Sequence, residues 1–272
     1  MRVSFSNIAW DVDEDYLIAD MLRNYGVKAI DIAPGKYFPV PSKASSKDIA
    51  SVKAIWLNYG IEIVGMQALL FGNQGFNIFG DDKTQLAMLN HLDAVCRIAN
   101  RLGLNRLVFG SPKNRDCSGL SDEATIDIAK NFFTKLGDIA LKYKVIFCLE
   151  PNPVAYGANF MTNGNDTYKI VKAINHPSIK MQLDTGAILM NKESIYEIIS
   201  LAYSEIGHIH ISEPLLEVVG NSGKLVHKEF ATAIKQKFSN PLITIEMKAT
   251  KNEPHHSSIE RALIFVNEIY KS

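Results

Sequence analysis

The chain has 272 residues, of which 47% are hydrophobic and 21% are charged, as in an ordinary soluble globular protein. Lysine and arginine together number 29, and aspartate and glutamate also number 29, so the formal net charge is zero. Because phosphate neutralisation supplies most of the affinity of nucleic-acid-binding proteins, the lack of a basic excess argues against that class.

The N-terminal segment MRVSFSNIAWDVDEDY carries an acidic cluster soon after a short apolar run. A signal peptide has a longer apolar region that leads to a cleavage site of small residues. No apolar stretch of the sequence approaches the roughly 20 residues that a membrane-spanning helix needs. The three cysteines, Cys96, Cys117 and Cys148, are scattered and odd in number, which favours a reducing compartment. We therefore expect a cytoplasmic protein without a membrane partner.

Short segments of strand-like composition alternate with longer segments of helical periodicity along the chain. The predicted strands are Arg2–Ile8, Ala29–Ile32, Ile61–Ala68, Arg106–Phe109, Val145–Glu150, Lys180–Asp184, Gly207–Ile211 and Leu242–Met247. Before the fourth strand, apolar residues recur at three- and four-residue spacing from Leu86 to Leu102, and a similar series runs from Ile126 to Ile139 before the fifth. Ser121, followed by two acidic residues, is a favourable helix start.

Strand and helix signals that alternate without a linker rich in proline, glycine or serine predict one domain. The length suits a (β/α)8 TIM barrel, which typically has roughly 250 residues. We therefore predict a single TIM barrel domain over residues 1–272. A doubly wound open sheet is the structural alternative, but it commonly has a glycine-rich turn after the first strand. The segment Ile8-Ala9-Trp10-Asp11 contains no glycine.

Four of the later strands carry an acidic residue or a histidine near the carboxyl end, where TIM barrels build their active sites. Alternation along each strand places these side chains on the inward face. The pairs that share this face are Gln182 with Asp184, His208 with His210, and Thr244 with Glu246, while Glu150 shares it with Cys148 and Ile146. Taken alone, each residue is also explained as a helix cap, an ion-pair partner or an ordinary buried polar group.

Together, two glutamates, an aspartate and a histidine form a mixed oxygen and nitrogen donor set that suits Mn²⁺, Mg²⁺, Co²⁺ or Zn²⁺. Three carboxylates gathered in a partly buried place without a cation would repel one another. The pattern therefore favours one divalent metal ion, held by Glu150, Asp184, His210 and Glu246.

The segments LEPNP (149–153), QLDTGA (182–187), GHIHISEP (207–214) and ITIEMK (243–248) resemble the xylose isomerase-like TIM barrels of the sugar phosphate isomerase/epimerase family. The superfamily includes ketose 3-epimerases, hydroxypyruvate isomerases, inosose dehydratases and endonuclease IV. The resemblance spans nearly the whole chain, because the order of strands and of ligands agrees through all four segments. Relatives in this superfamily are often dimers or tetramers, so a homo-oligomer is one expectation.

The resemblance implies that Glu150, Asp184, His210 and Glu246 are the metal ligands. It also implies that Glu150 and Glu246 are the catalytic acid/base pair, on opposite faces of a bound sugar. A metal that chelates a carbonyl and an adjacent hydroxyl acidifies the C–H between them and stabilises an enediolate. One carboxylate can then remove a proton while the other returns one. The implied activity is that of a metal-dependent isomerase or epimerase of a small sugar, sugar phosphate or hydroxy-ketone.

Several departures from the family leave the substrate open. The ketose 3-epimerases have a histidine where this chain has Ala187, a second glutamate where it has Tyr156, and an arginine near the position of Leu216. One alternative is a lyase of the inosose-dehydratase type, and another is a barrel that binds sugar without turnover. An AP endonuclease is disfavoured, because endonuclease IV needs additional histidines for a three-zinc cluster.

Loops beyond the strand ends offer further candidates for substrate binding. Gln67 ends the third strand, and Lys113 and Arg115 follow the fourth, where they could bind a phosphate or carboxylate group. A solvated basic loop is the slightly favoured explanation of Lys113 and Arg115. Tyr156 and Asn159 lie just beyond Glu150 and could contact sugar hydroxyls, although a tyrosine packed beneath the loop is the alternative. His227 follows a glycine-containing loop and is a further candidate.

Overall fold

The computed structural model describes residues 1–271, and Ser272, the last residue of the predicted domain, lies outside the described residues. All eight predicted strands are present. They are Arg2–Ser6 (β1), Ala29–Ile32 (β2), Glu62–Met66 (β3), Arg106–Phe109 (β4), Ile146–Leu149 (β5), Ile179–Asp184 (β6), Ile206–Ser212 (β7) and Leu242–Glu246 (β8).

The strands pair in parallel and in sequence order, and β8 pairs with β1 to close the barrel. At the closure Phe5 is aligned with Ile245. Asp184 of β6 is aligned with His210 of β7, so the later strands bring polar side chains to the same level. The predicted (β/α)8 barrel is confirmed, and the carboxyl ends of all strands lie at one face.

In residues 1–271, ten α-helices surround the strands or connect them. They are Asp15–Asn24 (α1), Pro34–Tyr37 (α2), Ser46–Asn58 (α3), Asp82–Leu102 (α4), Asp122–Tyr143 (α5), Gly164–Ile174 (α6), Thr185–Asn191 (α7), Ile195–Ala202 (α8), Lys224–Lys237 (α9) and His255–Tyr270 (α10). Among residues 1–271, no helix is both long enough and apolar enough to cross a membrane.

Local chemistry sets where the elements begin and end. As predicted, Ser121 caps α5, and its hydroxyl accepts a hydrogen bond from the Ala124 amide at 3.2 Å. The first strand ends at Ser6, two residues earlier than predicted. The Ser6 side chain accepts from the Ile8 amide, and this bond starts a 3₁₀ turn at Asn7–Ala9. The Ile8 amide bonds within its own turn and not to a neighbouring strand, so the strand ends here.

Apolar packing between helices and sheet forms the hydrophobic core, as in the edge-to-face contact of Phe109 with Phe133 at 5.3 Å between ring centroids. The barrel interior, in contrast, contains a polar cluster. Asp31 Oδ2 accepts hydrogen bonds from His208 Nε2 at 2.6 Å and from Thr244 Oγ1 at 3.2 Å. These fully buried side chains come from β2, β7 and β8, and their mutual bonds satisfy groups that water cannot reach.

Candidate metal and active centre

Four side chains converge at the carboxyl ends of consecutive strands. Glu150 directly follows β5, Asp184 ends β6, His210 lies in β7 and Glu246 ends β8. One potential ligand atom from each lies within 4.8 Å of the others, and all four residues are buried. Alternation along the strands thus directs the four predicted metal-ligating residues to one place.

His210 lies at the centre of this group. Its Nδ1 is 3.1 Å from Oε2 of Glu246 and 3.8 Å from Oε1 of Glu150, and its Nε2 is 3.6 Å from Oδ2 of Asp31. The residue is fully buried, and within residues 1–271 neither ring nitrogen makes a hydrogen bond of good geometry. Such a ring nitrogen, facing two carboxylates, is free to ligate a metal ion.

Asp184 is held in place by two hydrogen bonds at the start of α7. Its Oδ1 accepts from the Ala187 amide at 2.7 Å and caps the helix, while its Oδ2 accepts from the Ser212 hydroxyl at 2.7 Å. The Thr185 hydroxyl donates to the main-chain oxygen of Ser212 at 2.8 Å. The ends of β6 and β7 are therefore tied together, which fixes the distance between Asp184 and its neighbours.

Each of the two glutamates has one oxygen held by a side-chain amide. Gln67 Nε2 donates to Oε1 of Glu246 at 2.6 Å, and Asn152 Nδ2 donates to Oε2 of Glu150 at 3.1 Å. The other oxygen of each glutamate faces Nδ1 of His210. The two carboxylates are thus held in a similar way on two sides of the same imidazole.

The crowding of negative charge changes the proton affinity of the site. Burial, reinforced by the charges of Glu246 and Asp184, raises the pKa of Glu150 to about 8. Burial and Glu246 raise the pKa of Asp184 to about 6. Burial opposes protonation of His210, but the charges of Glu246 and Glu150 outweigh it and raise the His210 pKa well above its ordinary value. The raised pKa values of the carboxyl groups follow from their burial and from repulsion between neighbouring negative charges.

The donor set fits a divalent metal ion on chemical grounds. Three carboxylates and one imidazole supply the oxygen and nitrogen atoms that Mn²⁺, Co²⁺, Zn²⁺ and Mg²⁺ accept. On its far side, the imidazole of His210 faces the carboxylate of Asp31, as metal-bound imidazoles commonly do. The residues therefore suit such an ion.

Of the residues predicted to bind substrate, Gln67 and Tyr156 lie at this centre. Gln67 contacts Glu246, and its own Oε1 is buried without a hydrogen-bond partner among the described residues. The Tyr156 hydroxyl accepts from the Leu215 amide at 2.8 Å. Burial raises the Tyr156 pKa to about 12, with smaller contributions from the carboxylates, including Asp184. Tyr156 therefore remains a neutral phenol close to the acidic group.

The other four candidates have different surroundings. Lys113 is exposed on the loop after β4. Arg115 is completely buried, and its terminal nitrogens donate to Glu150 O and Asn152 Oδ1. The side chain of Asn159 bonds to Asp116, Ser118 and Cys117, and so joins the loops after β4 and β5. His227 is buried in the first turn of α9, between Glu213 at 2.9 Å and Tyr270 at 2.8 Å.

Three residues of this site, Asn152, Ser212 and Gly110, were not among the predicted site residues. Asn152 lies two residues after Glu150, and a search for amides near the strand ends would have found it. Gly110 matters because a Cβ at this position would lie 1.8 Å from Oε2 of Glu150. No sequence signal identifies that contact, because it depends on how the loops after two strands approach each other.

Solved structures of several epimerases resemble this fold over almost its full length. D-psicose 3-epimerase from Clostridium cellulolyticum H10, crystallised with D-tagatose, has a TM-score of 0.81 at 18% identity, covering 99% of each chain. The 3-keto-D-glucoside 4-epimerase from E. coli has a TM-score of 0.79 at 14% identity, covering 98% of this chain and 99% of the other. The IolI protein with a bound zinc atom has a TM-score of 0.76 at 16% identity, covering 100% and 98%.

At these identities the likeness establishes the fold alone. A comparison with curated protein sequences found no significant match. Sequence comparison with protein families, however, matches residues 19–269 to the family described as xylose isomerase-like TIM barrel. That match covers most of the chain and agrees with the closed eight-stranded barrel. The chain belongs to the xylose isomerase-like TIM barrel family.

Proposed function

We propose that this chain is a divalent-metal-dependent isomerase or epimerase that acts on a small sugar or a related hydroxy-ketone. The observation that carries the proposal is the convergence of Glu150, Asp184, His210 and Glu246 within 4.8 Å at the carboxyl face of the barrel. Solved structures with a similar fold include two sugar epimerases and a zinc-bound protein, which supports this reaction class.

In this proposal the same four residues hold the metal ion. When bound, the ion acts as a Lewis acid on a substrate carbonyl and its adjacent hydroxyl, and so acidifies the C–H between them. The chain's own contribution is to hold the donor atoms rigidly. Asp184 is fixed by the Ala187 amide and the Ser212 hydroxyl, and the glutamates are fixed by side-chain amides.

Glu150 and Glu246 are the proposed acid/base pair. Asn152 donates to one oxygen of Glu150, and Gln67 donates to one oxygen of Glu246. The other oxygen of each glutamate faces His210 at the centre of the site. One glutamate, as a carboxylate, removes the proton from the carbon beside the carbonyl. The other, as a protonated carboxylic acid, delivers a proton to the opposite face or to the neighbouring carbon. Delivery at the same carbon gives epimerisation, and delivery at the neighbouring carbon gives isomerisation.

Two further groups are suited to orient the substrate. The buried Oε1 of Gln67 can accept a hydrogen bond from a substrate hydroxyl. The Tyr156 oxygen already accepts from Leu215, so its proton is available for donation to a substrate oxygen. An acceptor and a donor at the edge of the acidic group match the pattern of a polyhydroxy ketone.

Metal content is the first test. Protein purified without chelator should contain a stoichiometric amount of Mn, Co, Mg or Zn by elemental analysis, and Asp184→Asn should lose it. Asp15→Asn is the matched control, because Asp15 is also buried but accepts from Trp10 and Tyr37 instead. Wild-type protein that stays metal-free after Mn²⁺ is added back would remove the basis of the proposal.

Hydrogen exchange tests the acid/base pair. Incubation of the metal-loaded enzyme in D₂O with a panel of ketoses, ketose phosphates and hydroxypyruvate should label the carbon beside the carbonyl of a substrate, detected by NMR. Glu246→Gln keeps an oxygen ligand but no proton acceptor, so its exchange rate should fall about 10²–10⁴-fold with metal still bound. A variant that exchanges as fast as wild type would show that Glu246 is not a base.

A further inference from the structure

Arg115 is a completely buried arginine beside the end of β5. Its Nη1 donates to the main-chain oxygen of Glu150 at 2.8 Å, and its Nη2 donates to Oδ1 of Asn152. A guanidinium stays protonated at neutral pH, so Arg115 carries its positive charge in this buried position. A fixed positive charge therefore stands directly behind one of the two proposed acid/base residues.

The guanidinium determines which way the Asn152 amide points. A guanidinium can only donate hydrogen bonds, so the Asn152 oxygen must face Arg115. The amide nitrogen then faces the opposite side, where it donates to Oε2 of Glu150 at 3.1 Å. Asn152 is buried, so water does not compete for either end of the amide. If this amide were rotated by 180°, its nitrogen would face the Arg115 guanidinium, donor against donor. Its oxygen would face Oε2 of Glu150, acceptor against acceptor.

The Asn152 amide holds one oxygen of the Glu150 carboxylate, and the glycine at position 110 leaves room for it. Oε2 lies between the Asn152 amide and the space above Gly110, where a Cβ would come within 1.8 Å of it. Oε1 consequently faces Nδ1 of His210 at 3.8 Å. The main-chain bond from Arg115 holds the backbone of the same residue, so both the backbone and the carboxylate of Glu150 are fixed from one side.

The opposite glutamate lacks such support. Gln67 Nε2 holds Oε1 of Glu246, but Oε1 of Gln67 is without a hydrogen-bond partner in residues 1–271. The amide of Gln67 is therefore held by one end only. The amide that holds Glu150 is thus itself held by Arg115, whereas the amide that holds Glu246 has no such partner among the described residues.

We propose that Arg115 and Asn152 are positioning residues for Glu150, in which the buried guanidinium orients the Asn152 amide and the amide orients the carboxylate toward the metal and substrate. The inference rests on the proposed function, since it assigns Glu150 to the metal centre. It also implies that Arg115 does not bind an anionic group of the substrate, because none of its surface is exposed.

The test uses Co²⁺ alone as the probe, since its d–d absorption reports the arrangement of the ligands. Asn152→Asp keeps an acceptor for Arg115 but places an oxygen against Oε2 of Glu150. Asn152→Leu removes both contacts. We expect each variant to bind Co²⁺ about 10–100-fold more weakly than wild type, with an altered absorption spectrum. Arg115→Met should behave in the same way.

Arg97→Met is the matched control for the arginine change. Arg97 is half-buried in α4 and donates to the main-chain oxygen of Pro41, so it loses a similar contact away from the site. Its Co²⁺ affinity and spectrum should equal those of wild type. If Arg115→Met does not fold, as judged by thermal denaturation, the two Asn152 variants decide the question, because they retain the bond from Arg115 to the Glu150 main chain.

The outcomes distinguish failure of the proposed function from failure of the positioning role. Wild-type protein that does not bind Co²⁺ would overturn the proposed function and this inference with it. Wild-type binding together with unchanged affinity and spectrum in Asn152→Asp would overturn only the positioning role, because a residue needed merely to pair with Arg115 tolerates that change. Weaker Co²⁺ binding and a changed spectrum in Asn152→Asp, with both unchanged in Arg97→Met, would support the positioning role.

Discussion

At the scale of single residues, Glu150, Asp184 and His210 bind protons more tightly in the folded chain than in the unfolded one. The pKa of Glu150 is about 8 and that of Asp184 about 6, and the pKa of His210 is also raised. Such groups stabilise the fold fully below their ordinary pKa, and this stabilisation is lost as the pH rises through the folded pKa. The metal-free protein should therefore lose stability between about pH 4.5 and 8.

Glu150→Gln tests this linkage. Glutamine cannot ionise, yet its oxygen can still accept from Asn152, so the variant should melt about 4 °C above wild type at pH 8 when both are metal-free. Near about pH 3 the two should melt at similar temperatures, because wild-type Glu150 is then largely protonated in both the folded and the unfolded state. Calorimetry in the presence of chelator measures the difference. Parallel curves at all pH values would contradict the assigned pKa shift.

The residues of the site were predictable to different extents. Strand alternation placed Glu150, Asp184, His210 and Glu246 on one inward face, and the structure brings them within 4.8 Å. Alternation has no meaning beyond the strand end, so the contact of Asn152 with Glu150 could not be read from it. The burial of Arg115 was also not predictable, because it depends on how two loops pack.

At the scale of elements, several helices end in a left-handed residue that is not glycine. At the carboxyl end of α5, Lys144 has φ 57°, and its amide bonds back to Ala140 and Leu141. The equivalent position of α4 is occupied by Gly103, with φ 87°. A side chain in the left-handed region costs about 1–2 kcal/mol, which glycine avoids.

Lys144→Gly should therefore stabilise the protein. Part of the gain is offset by the greater freedom of glycine in the unfolded chain, so we expect an increase of about 0.5–1 kcal/mol in the free energy of unfolding. Lys130→Gly, at an exposed position inside the same helix, is the control and should lose about 1 kcal/mol. Urea denaturation measures both. Equal losses in the two variants would show that Lys144 is not strained.

Element boundaries and buried faces were predictable where one local signal dominates. The limits of β2 and β4 agree with the prediction, because both strands are short apolar runs between turns. The apolar series of α4 and α5 began with Leu86 and Ile126, which are 59% and 42% exposed. Three- and four-residue spacing describes a broad stripe on a helix, and only the packing of the whole barrel decides where the stripe ends.

At the scale of the whole molecule, the polar cluster inside the barrel joins strands that are distant in sequence. Asp31 of β2 accepts from His208 of β7 and Thr244 of β8, and all three are fully buried. Burial alone would favour the neutral acid, but the interactions with His208 and His210 hold the Asp31 pKa below its ordinary value of 3.8. Its stabilisation is therefore present above that value and lost as the pH falls through the lower folded pKa.

Asp31→Asn should weaken the closed barrel. Asparagine has one acceptor oxygen where the buried carboxylate has two, so a donor of His208 or Thr244 is left without its partner, and we expect a loss of about 3 kcal/mol at pH 7. Since asparagine does not titrate, the difference from wild type should shrink at pH 3. Denaturation of metal-free protein at the two pH values measures this. Asp127→Asn, on the exposed face of α5, should change neither value.

The four residues of the candidate centre all come from the second half of the chain, on β5 to β8. The first half, β1 to β4, contributes contacts from the loops after β3 and β4. Gln67 bonds to Glu246, and Gly110 and Arg115 lie against Glu150. The second half of the chain thus supplies the four side chains of the candidate centre, and the first half mainly completes the barrel around them. If the proposed function is correct, we expect that exchange of first-half loops at positions other than these three changes substrate preference and leaves the four proposed metal ligands in place.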